Sequence, residues 1–397
     1  MIKVGVIFGG ESVEHEISII SAIQAMQHID RGKYEIVPIY IAKDREIYTG
    51  KFLEEVETYS DMDMLKRYSK NVVMYVKDGV AVLQNKKGLR RIVNTFDIAL
   101  PIVHGTNVED GTLQGYLSLN GIPFAFSNLY AAAVGQDKVF MKQIFQAEKI
   151  SVPKYTWFFD NDYIENKDKV IKDIEKIGYP VIVKPARLGS SIGIERAKDR
   201  KELEEAIEES IKYDNKIIVE ELIPNLTEVN ASVLGNKNGY KVGVLEEVIG
   251  TDEFLSYQDK YMGSKKGKLK GNASKGMLSA SRKIPADISK GEEKTIIDTS
   301  IKAARALNTS GVVRIDYLIN KKTKEVYINE VNTIPGSLSF YLWEPVGKKY
   351  SDLLDEIITI AIREYKEKEK KTYSFDTNIL SNYSGTKGMK GIKGNKR

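Results

Sequence analysis

Arg314 with Asp316, and Glu330 with Asn332, stand two residues apart within the segment 311–336, GVVRIDYLINKKTKEVYINEVNTIPG. Apolar residues alternate over 312–319 and again over 326–332, with a polar turn at 320–325 between them, which is the pattern of a β-hairpin. Side chains two apart on a strand share a face. If the hairpin brings those faces together, two carboxylates, one amide oxygen and one guanidinium converge. Hard oxygen ligands of this kind, too few to enclose an ion, suit Mg²⁺ that keeps waters and shares itself with nucleotide phosphates. A guanidinium beside them can clamp a carboxylate or a phosphoryl oxygen. For any single charged strand residue a solvated face is the plain alternative. Four in register, followed at once by Asn-Thr-Ile-Pro-Gly, favour a metal–phosphate site.

Other segments carry chemistry that complements this. Residues 179–193, YPVIVKPARLGSSIG, read as a strand ending in Lys184 and a loop of small residues. A cation at a strand end and exposed backbone N–H groups fit phosphate oxygens, with Ser190 and Ser191 as hydroxyl donors. Residues 218–223, IVEELI, form a strand that meets a turn at Pro224, an edge able to bind a base through its backbone. Residues 254–281 are rich in glycine and lysine, and most of those lysines read as a solvated face. GGESVEHEIS, after the first strand, begins a helix at the carboxyl edge where ligands sit in doubly wound folds.

The elements that must position these groups follow from periodicity. Residues 2–8 are a nearly continuous apolar run, as in a buried parallel strand, and Gly9-Gly10 break it. Ile19, Ile23 and Met26 then recur at helical spacing, and 34–42 and 97–103 supply further strands. Strand, turn, helix and strand make a βαβ unit of a doubly wound α/β domain. Residues 44–95, of mixed charge and weak periodicity, read as peripheral elaboration. Strands are expected at 181–184, 217–221, 229–234 and 242–248, and helices at 139–145, 198–212, 292–307 and 352–367. Units 1–130, 131–224 and 225–367 follow, with a basic tail at 368–397 expected to be disordered.

Composition narrows the class. The chain has 397 residues, too many for one core, with 42% hydrophobic and 29% charged residues. Its formal charge of +5 is matched by Lys387, Lys390, Lys393, Lys396 and Arg397 in an acid-free terminal stretch, so the body is neutral. No basic-aromatic stripe points to nucleic acid. Zero cysteines exclude disulfides, thiolate metal sites and a cysteine nucleophile. No apolar stretch approaches the ~20 residues of a membrane span, and Met1 runs into a strand without a signal-peptide pattern. A cytoplasmic protein, assembling as a homodimer, is the expectation.

R-x-D followed by E-x-N-T-x-P-G resembles a nucleotide-binding signature of the ATP-grasp ligases, specifically the D-alanine–D-alanine ligase family. Matches at 9–18, 104–115, 184–193 and 220–228 occur in the family's order, and the resemblance covers about residues 1–350. It implies a three-domain α/β ATP-grasp fold, with ATP between the central and C-terminal units and two Mg²⁺ ions, or Mn²⁺ in their place, on Asp316, Glu330 and Asn332. It also implies that Lys138, Lys184 and the serine loop hold phosphates, and that Glu220 meets the adenine amino group. Glu221, Leu222 and Ile223 would lie nearby, with Glu228 on the ribose. On the family's active-site loop, Lys260 would reach the γ-phosphate and Tyr261 would close the first amino-acid site. Glu14 would receive the ammonium of a first D-alanine, with His104 near its carboxylate.

The implied reaction forms an acylphosphate, which a second amine attacks while Arg314 and the Gly336 N–H stabilise the oxyanion. Ser190, Tyr261 and Glu14 would lock the flaps. Two departures stand out. Val108 replaces a glycine in the usual H-G-x-x-G-E-D-G pattern. Tyr341 occupies the position of a serine that helps hold the second D-alanine, so either Ser339 takes over or the acceptor pocket has changed. Acceptors such as D-lactate, D-serine or an L-amino acid stay open, as does a non-catalytic ATP-binding module. A carboxylase-type enzyme acting on bicarbonate is disfavoured by Glu14 and His104.

Overall fold

The computed structural model describes residues 1–190, 192–249 and 281–374. Three sheets organise it. The first contains β1 (Ile2–Gly9), β2 (Tyr34–Ile41), β3 (Ile47–Thr49), β4 (Lys70–Lys77), β5 (Val80–Asn85), β6 (Ile92–Phe96) and β7 (Ile98–Ile102), in the order β6-β5-β4-β3-β2-β1-β7. β1 runs parallel to both β2 and β7, so the expected βαβ unit is present, with helix His15–His28 as its crossover. Gly9 and Gly10 turn the chain off β1 with φ of +89° and +104°, a region that side chains rarely adopt. A Cβ on Gly9 would lie 2.2 Å from the Ile41 carbonyl oxygen.

Residues 44–95 are not peripheral. They contribute β3 to β6 as an antiparallel extension of the same sheet. Tyr48, Leu53, Leu65, Val72, Met74 and Leu83 join the core of β1 and β2. Their periodicity is weak because the strands are short and one face stays wet: β4 alternates only partly between buried and exposed residues.

The second sheet holds β8 (Tyr155–Phe159), β9 (Val181–Pro185), β10 (Glu195–Ala197) and β11 (Lys216–Glu221), in the order β10-β9-β11-β8. Helices Lys167–Glu175 and Arg200–Ser210 supply Ile171, Ile174, Leu203 and Ile207 to its core. The third holds β12 (Leu226–Asn236), β13 (Gly239–Val242), β14 (Glu246–Ile249), β15 (Ser281–Lys283), β16 (Gly311–Asn320) and β17 (Val326–Asn332). Its order is β15-β14-β12-β16-β17, with β13 on β12. The strand expected at 242–248 is therefore two: β13 ends where it should begin, and β14 occupies its second half. Helix Lys290–Leu307 starts with a capping box between Ser289 and Glu292 and covers this sheet through Ile296, Ala303 and Ala304.

Helix Tyr350–Glu369 crosses back to the first sheet. Leu353, Leu354, Ile357 and Ile358 share one apolar core with Val4, Ile19 and Ile23, so this helix is built into the first sheet's core. The expected tail beyond residue 374 and the lysine-rich segment 250–280 lie outside the described residues.

Candidate functional site

The hairpin forms, but the alternation expected over 326–332 is broken by a register shift that leaves Asn329 without a partner residue on β16. β16 and β17 pair antiparallel, with Arg314 opposite Asn332 and Asp316 opposite Glu330. Directly opposed residues share a sheet face, and the register extends that face across the third sheet. Glu246, Asn230, Asp316 and Glu330 form one row across β14, β12, β16 and β17. Ser232, Arg314 and Asn332 form the row on one side of it. Arg282, Val248, Glu228 and Leu318 form the row on the other. All three rows contribute to the wall of a single cleft between the three sheets.

Within the central rows the charges are held tightly. Arg314 grips Asp316 with two parallel bonds, Nε to Oδ1 at 2.6 Å and an Nη to Oδ2 at 2.8 Å, and the Asn332 amide meets Oδ2 at 3.1 Å. Burial works against the Arg314 charge, yet Asp316 overcomes it and holds the guanidinium pKa above its ordinary value. Glu330 faces the ammonium of Lys138 at 3.4 Å. Two carboxylates and an amide, flanked by cations that compensate their charge, are the donor set a hard divalent ion takes. The residues present fit such an ion.

On the second sheet, Lys138 opens helix Lys138–Ala147, capped by Asp137, and donates to the Leu188 carbonyl at 2.8 Å. Lys184, at the end of β9, lies 2.9 Å from Glu220 and 3.1 Å from the Asn329 amide oxygen. Lys142 reaches the other Glu220 oxygen at 3.2 Å and the Asn329 carbonyl at 3.2 Å. Burial alone would raise the Glu220 pKa, but the two ammoniums override it and hold it down to about 2. The Glu220 carboxylate is thus engaged within the protein. Glu221 is engaged too, accepting from the Lys154 N–H at 2.7 Å, while Leu222 and Ile223 present backbone and apolar surface to the cleft.

The third wall comes from the first sheet. Glu14 precedes helix His15–His28, and its carboxylate accepts a short hydrogen bond from Ser190, 176 residues away. Burial raises the Glu14 pKa, opposed by that bond. Gly105 and Gly189 make room for it: a Cβ on either would lie 2.8 or 3.0 Å from the Glu14 carboxylate. His104 lines the cleft with both ring nitrogens engaged, Nδ1 with the Ile334 carbonyl at 2.9 Å and Nε2 with Ser21 at 3.0 Å. A carbonyl only accepts, so Nδ1 carries the proton and Nε2 accepts from the serine. Burial pushes the His104 pKa down to about 4. Val108, in place of the motif's glycine, is buried, and a Cβ on Gly10 would meet it at 2.5 Å; the left-handed residue falls at Asn107 instead.

Glu14, Ser190, Arg314, Gly336, His104, Lys138, Lys184, Glu220, Glu221, Leu222, Ile223, Glu228, Asp316, Glu330 and Asn332 thus line one cleft. Two expected residues do not. Ser339 is fully buried, and Tyr341 stands behind the wall, donating to Glu246 at 3.0 Å. Ser191, Lys260 and Tyr261 lie outside the described residues.

Two sequence profiles, described as D-ala D-ala ligase N-terminus and C-terminus, match residues 3–127 and 144–359. The chain belongs to the D-alanine–D-alanine ligase family. It is 41% identical over 383 residues to a D-alanine–D-alanine ligase of Thermosipho melanesiensis, covering 96% of this chain and 98% of that one. A Bacillus cytotoxicus ligase is 37% identical over 379 residues, 94% and 99% of the two chains. Among solved structures, the VanG D-Ala:D-Ser ligase of Enterococcus faecalis superposes with a TM-score of 0.75 at 32% identity, over 91% of this chain and 99% of that one. The Coxiella burnetii D-alanine–D-alanine ligase gives 0.77 at 28%, over 93% and 96%. The α/β fold is the ATP-grasp fold of this ligase family.

Four residues in or behind the cleft wall were not singled out by sequence. Glu109 accepts from the Gly105 N–H at 3.0 Å, the Ile334 N–H at 2.9 Å and the Thr333 hydroxyl at 3.2 Å, tying the histidine loop to the Asn-Thr-Ile-Pro-Gly turn. Burial, then the neighbouring Glu14 charge, raises its pKa to about 7. Its signal was the Glu-Asp-Gly of the histidine motif. Lys142, four residues after Lys138, was legible as the next residue on that helix face. Glu246 and Arg282 carried no local signal, because only the pairing of β14 with β12 and β15 brings them to the cleft.

Proposed function

We propose that this protein is an ADP-forming ligase that joins D-alanine to a second D-amino acid, D-alanine first among them, for peptidoglycan precursor synthesis in the cytoplasm. The observation that carries the reading is the register of β16 and β17, which sets Arg314, Asp316, Glu330 and Asn332 against Lys138 and Lys184. Lys138 and Lys184 hold the nucleotide phosphates. Asp316, Glu330 and Asn332 would hold two Mg²⁺ ions, whose charge, when bound, neutralises the phosphate oxygens. The backbone of 221–223 and Glu228 receive the nucleoside, and the protein acts as a homodimer.

Glu14, locked to Ser190, places the ammonium of the first D-alanine, and the carboxylate oxygen of that D-alanine attacks the γ-phosphorus as the bond to ADP breaks. His104 stays neutral and shapes this end of the site through Ile334. The second amine attacks the acylphosphate carbon and inorganic phosphate leaves. Arg314 and the Gly336 N–H stabilise the oxyanion between those events. Phosphate release measured against a panel of D- and L-amino acids, with mass detection of products, tests the reading: ADP and D-alanyl-D-alanine are expected with D-alanine. Release with no amino acid of the panel would favour a nucleotide-binding module.

A further inference from the structure

The acceptor keeps a charged group through the reaction. A second amino acid uses its amine as nucleophile, and its carboxylate enters the cleft and leaves in the product unchanged. A carboxylate taken out of water needs a cation or several donors. Among the described residues, four cations line the cleft: Lys138, Lys184, Arg314 and Arg282. Three of them lie on or beside the hairpin. Lys138 faces Glu330, Lys184 faces Glu220, and Arg314 spends two bonds on Asp316. Arg282 stands apart from them on β15, at the opposite edge of the sheet from Glu330.

Arg282 is also held as a binding group is held. Its Nε lies 3.1 Å from Glu246, a carboxylate 1% exposed that also accepts from the Tyr341 hydroxyl at 3.0 Å and the Asn230 amide at 3.4 Å. The guanidinium carbon sits over the Tyr341 ring, 4.9 Å from its centre, within reach of a cation–π contact. Tyr341 is delivered by an unusual turn in which Ser337, Leu338 and Ser339 all take left-handed backbone, at φ of 49°, 51° and 49°. Non-glycine residues enter that region at a cost of about 1–2 kcal/mol each. The turn brings the phenol of Tyr341 to the buried Glu246 carboxylate.

We infer that Arg282, oriented by Glu246 and Tyr341, anchors the carboxylate of the acceptor amino acid and so selects α-amino acids over acceptors lacking that carboxylate. Glu246 and Tyr341 act as positioning residues. The inference rests on the ligase reading and adds to it the residue that reads the acceptor.

The test is a competition between D-alanine and D-alaninamide as acceptors for D-alanine, with saturating ATP and Mg²⁺ and mass quantification of dipeptide against dipeptide amide. The full chain should prefer the free carboxylate strongly. Arg282→Met should lose about 10- to 100-fold of that preference, the size of a charge-assisted bond, with the KM for ATP and for the first D-alanine within about twofold of wild type. Arg282→Lys should restore part of it. Wild type that forms dipeptide but accepts the amide equally well overturns the inference whatever the variants do. So does an Arg282→Met enzyme with unchanged preference, or with all three KM values raised together. If wild type forms no dipeptide from D-alanine, the ligase reading itself fails, a separate outcome.

Discussion

The two ends of the cleft are built differently. At the phosphate end, Arg314, Asp316, Glu330 and Asn332 come from one hairpin, and a single register sets all four. At the end where we place the acceptor, Glu246, Arg282 and Tyr341 come from β14, β15 and the turn Gly336–Leu342, and meet only once β14 pairs with β15 and the turn packs beside them. In the proposed reaction the hairpin end serves the phosphoryl transfer, and a hairpin holds such a constellation rigidly. Loss at the hairpin should therefore abolish turnover, whereas loss at the far edge should redirect it.

The largest effect belongs to the hairpin. Glu330→Gln and Asp316→Asn keep shape and remove charge, so the fold should survive, as circular dichroism would check. Turnover should fall roughly a thousandfold or more, the scale set by removing a preorganised electrostatic group. More than about a tenth of wild-type turnover at saturating Mg²⁺ in either variant would show that the phosphate end is not where the charges act.

Lys142→Met comes next and probes the joint between the second and third sheets. Lys142 is fully buried and binds both Glu220 and the Asn329 carbonyl. Removing it leaves Glu220 with Lys184 alone, so the cost should fall below about 3–5 kcal/mol, that of a buried charge left wholly unpaired. Denaturant midpoints should drop accordingly, and the KM for ATP should rise more than that for either amino acid. Equal rises would place Lys142 in general packing.

Glu109 gives a pH-dependent test. Its folded-state pKa is raised from 4.5 to about 7, chiefly by burial. A raised carboxyl contributes stability that is fully present below the unfolded value and lost as pH rises through the folded one. Wild type should therefore lose stability relative to Glu109→Gln between pH 4.5 and about 7.5, by at most about 3 kcal/mol. Chemical denaturation of both proteins across that range measures it, and a constant difference would mean Glu109 does not titrate there.

The same contrast explains what the sequence made legible. Alternation in 312–319 and 326–332 specified both strands and the shared face, because in a hairpin sequence spacing and spatial spacing are locked together. Lys184 was legible for a similar reason, lying at the end of its own strand, whereas Glu14 was named only through the family resemblance of the segment 9–18. Arg282 was not, since it looks like any arginine beside a lysine until β15 pairs with β14. Residues 44–95 misled because alternation in short strands with a wet face resembles loop composition. His104 was legible as a cleft residue, but its role was not: Ser21 and Ile334, which occupy its nitrogens, are 83 and 230 positions distant.

The smallest expected effect sharpens the contrast most. Tyr341→Phe keeps the ring beneath Arg282, 4.9 Å away, and deletes only the hydroxyl that donates to Glu246. Glu246 retains Arg282 and Asn230, so its charge stays paired and the fold should hold. What is lost is one of the bonds that aim the carboxylate. Arg282 should then sample more orientations, and the preference for D-alanine over D-alaninamide should weaken by roughly threefold to tenfold, the worth of one ordinary hydrogen bond. Nothing at the phosphate end depends on that hydroxyl, so the KM for ATP should not move. Tyr341→Ser removes the ring as well and opens a space behind Glu246, so it should shift acceptor preference further than Tyr341→Phe. If both substitutions leave preference untouched while Arg282→Met abolishes it, Arg282 is held by Glu246 alone and the strained turn serves packing. If Tyr341→Phe instead lowers turnover with every acceptor alike, the two ends are coupled through Glu246 and Arg314, and the division between them falls.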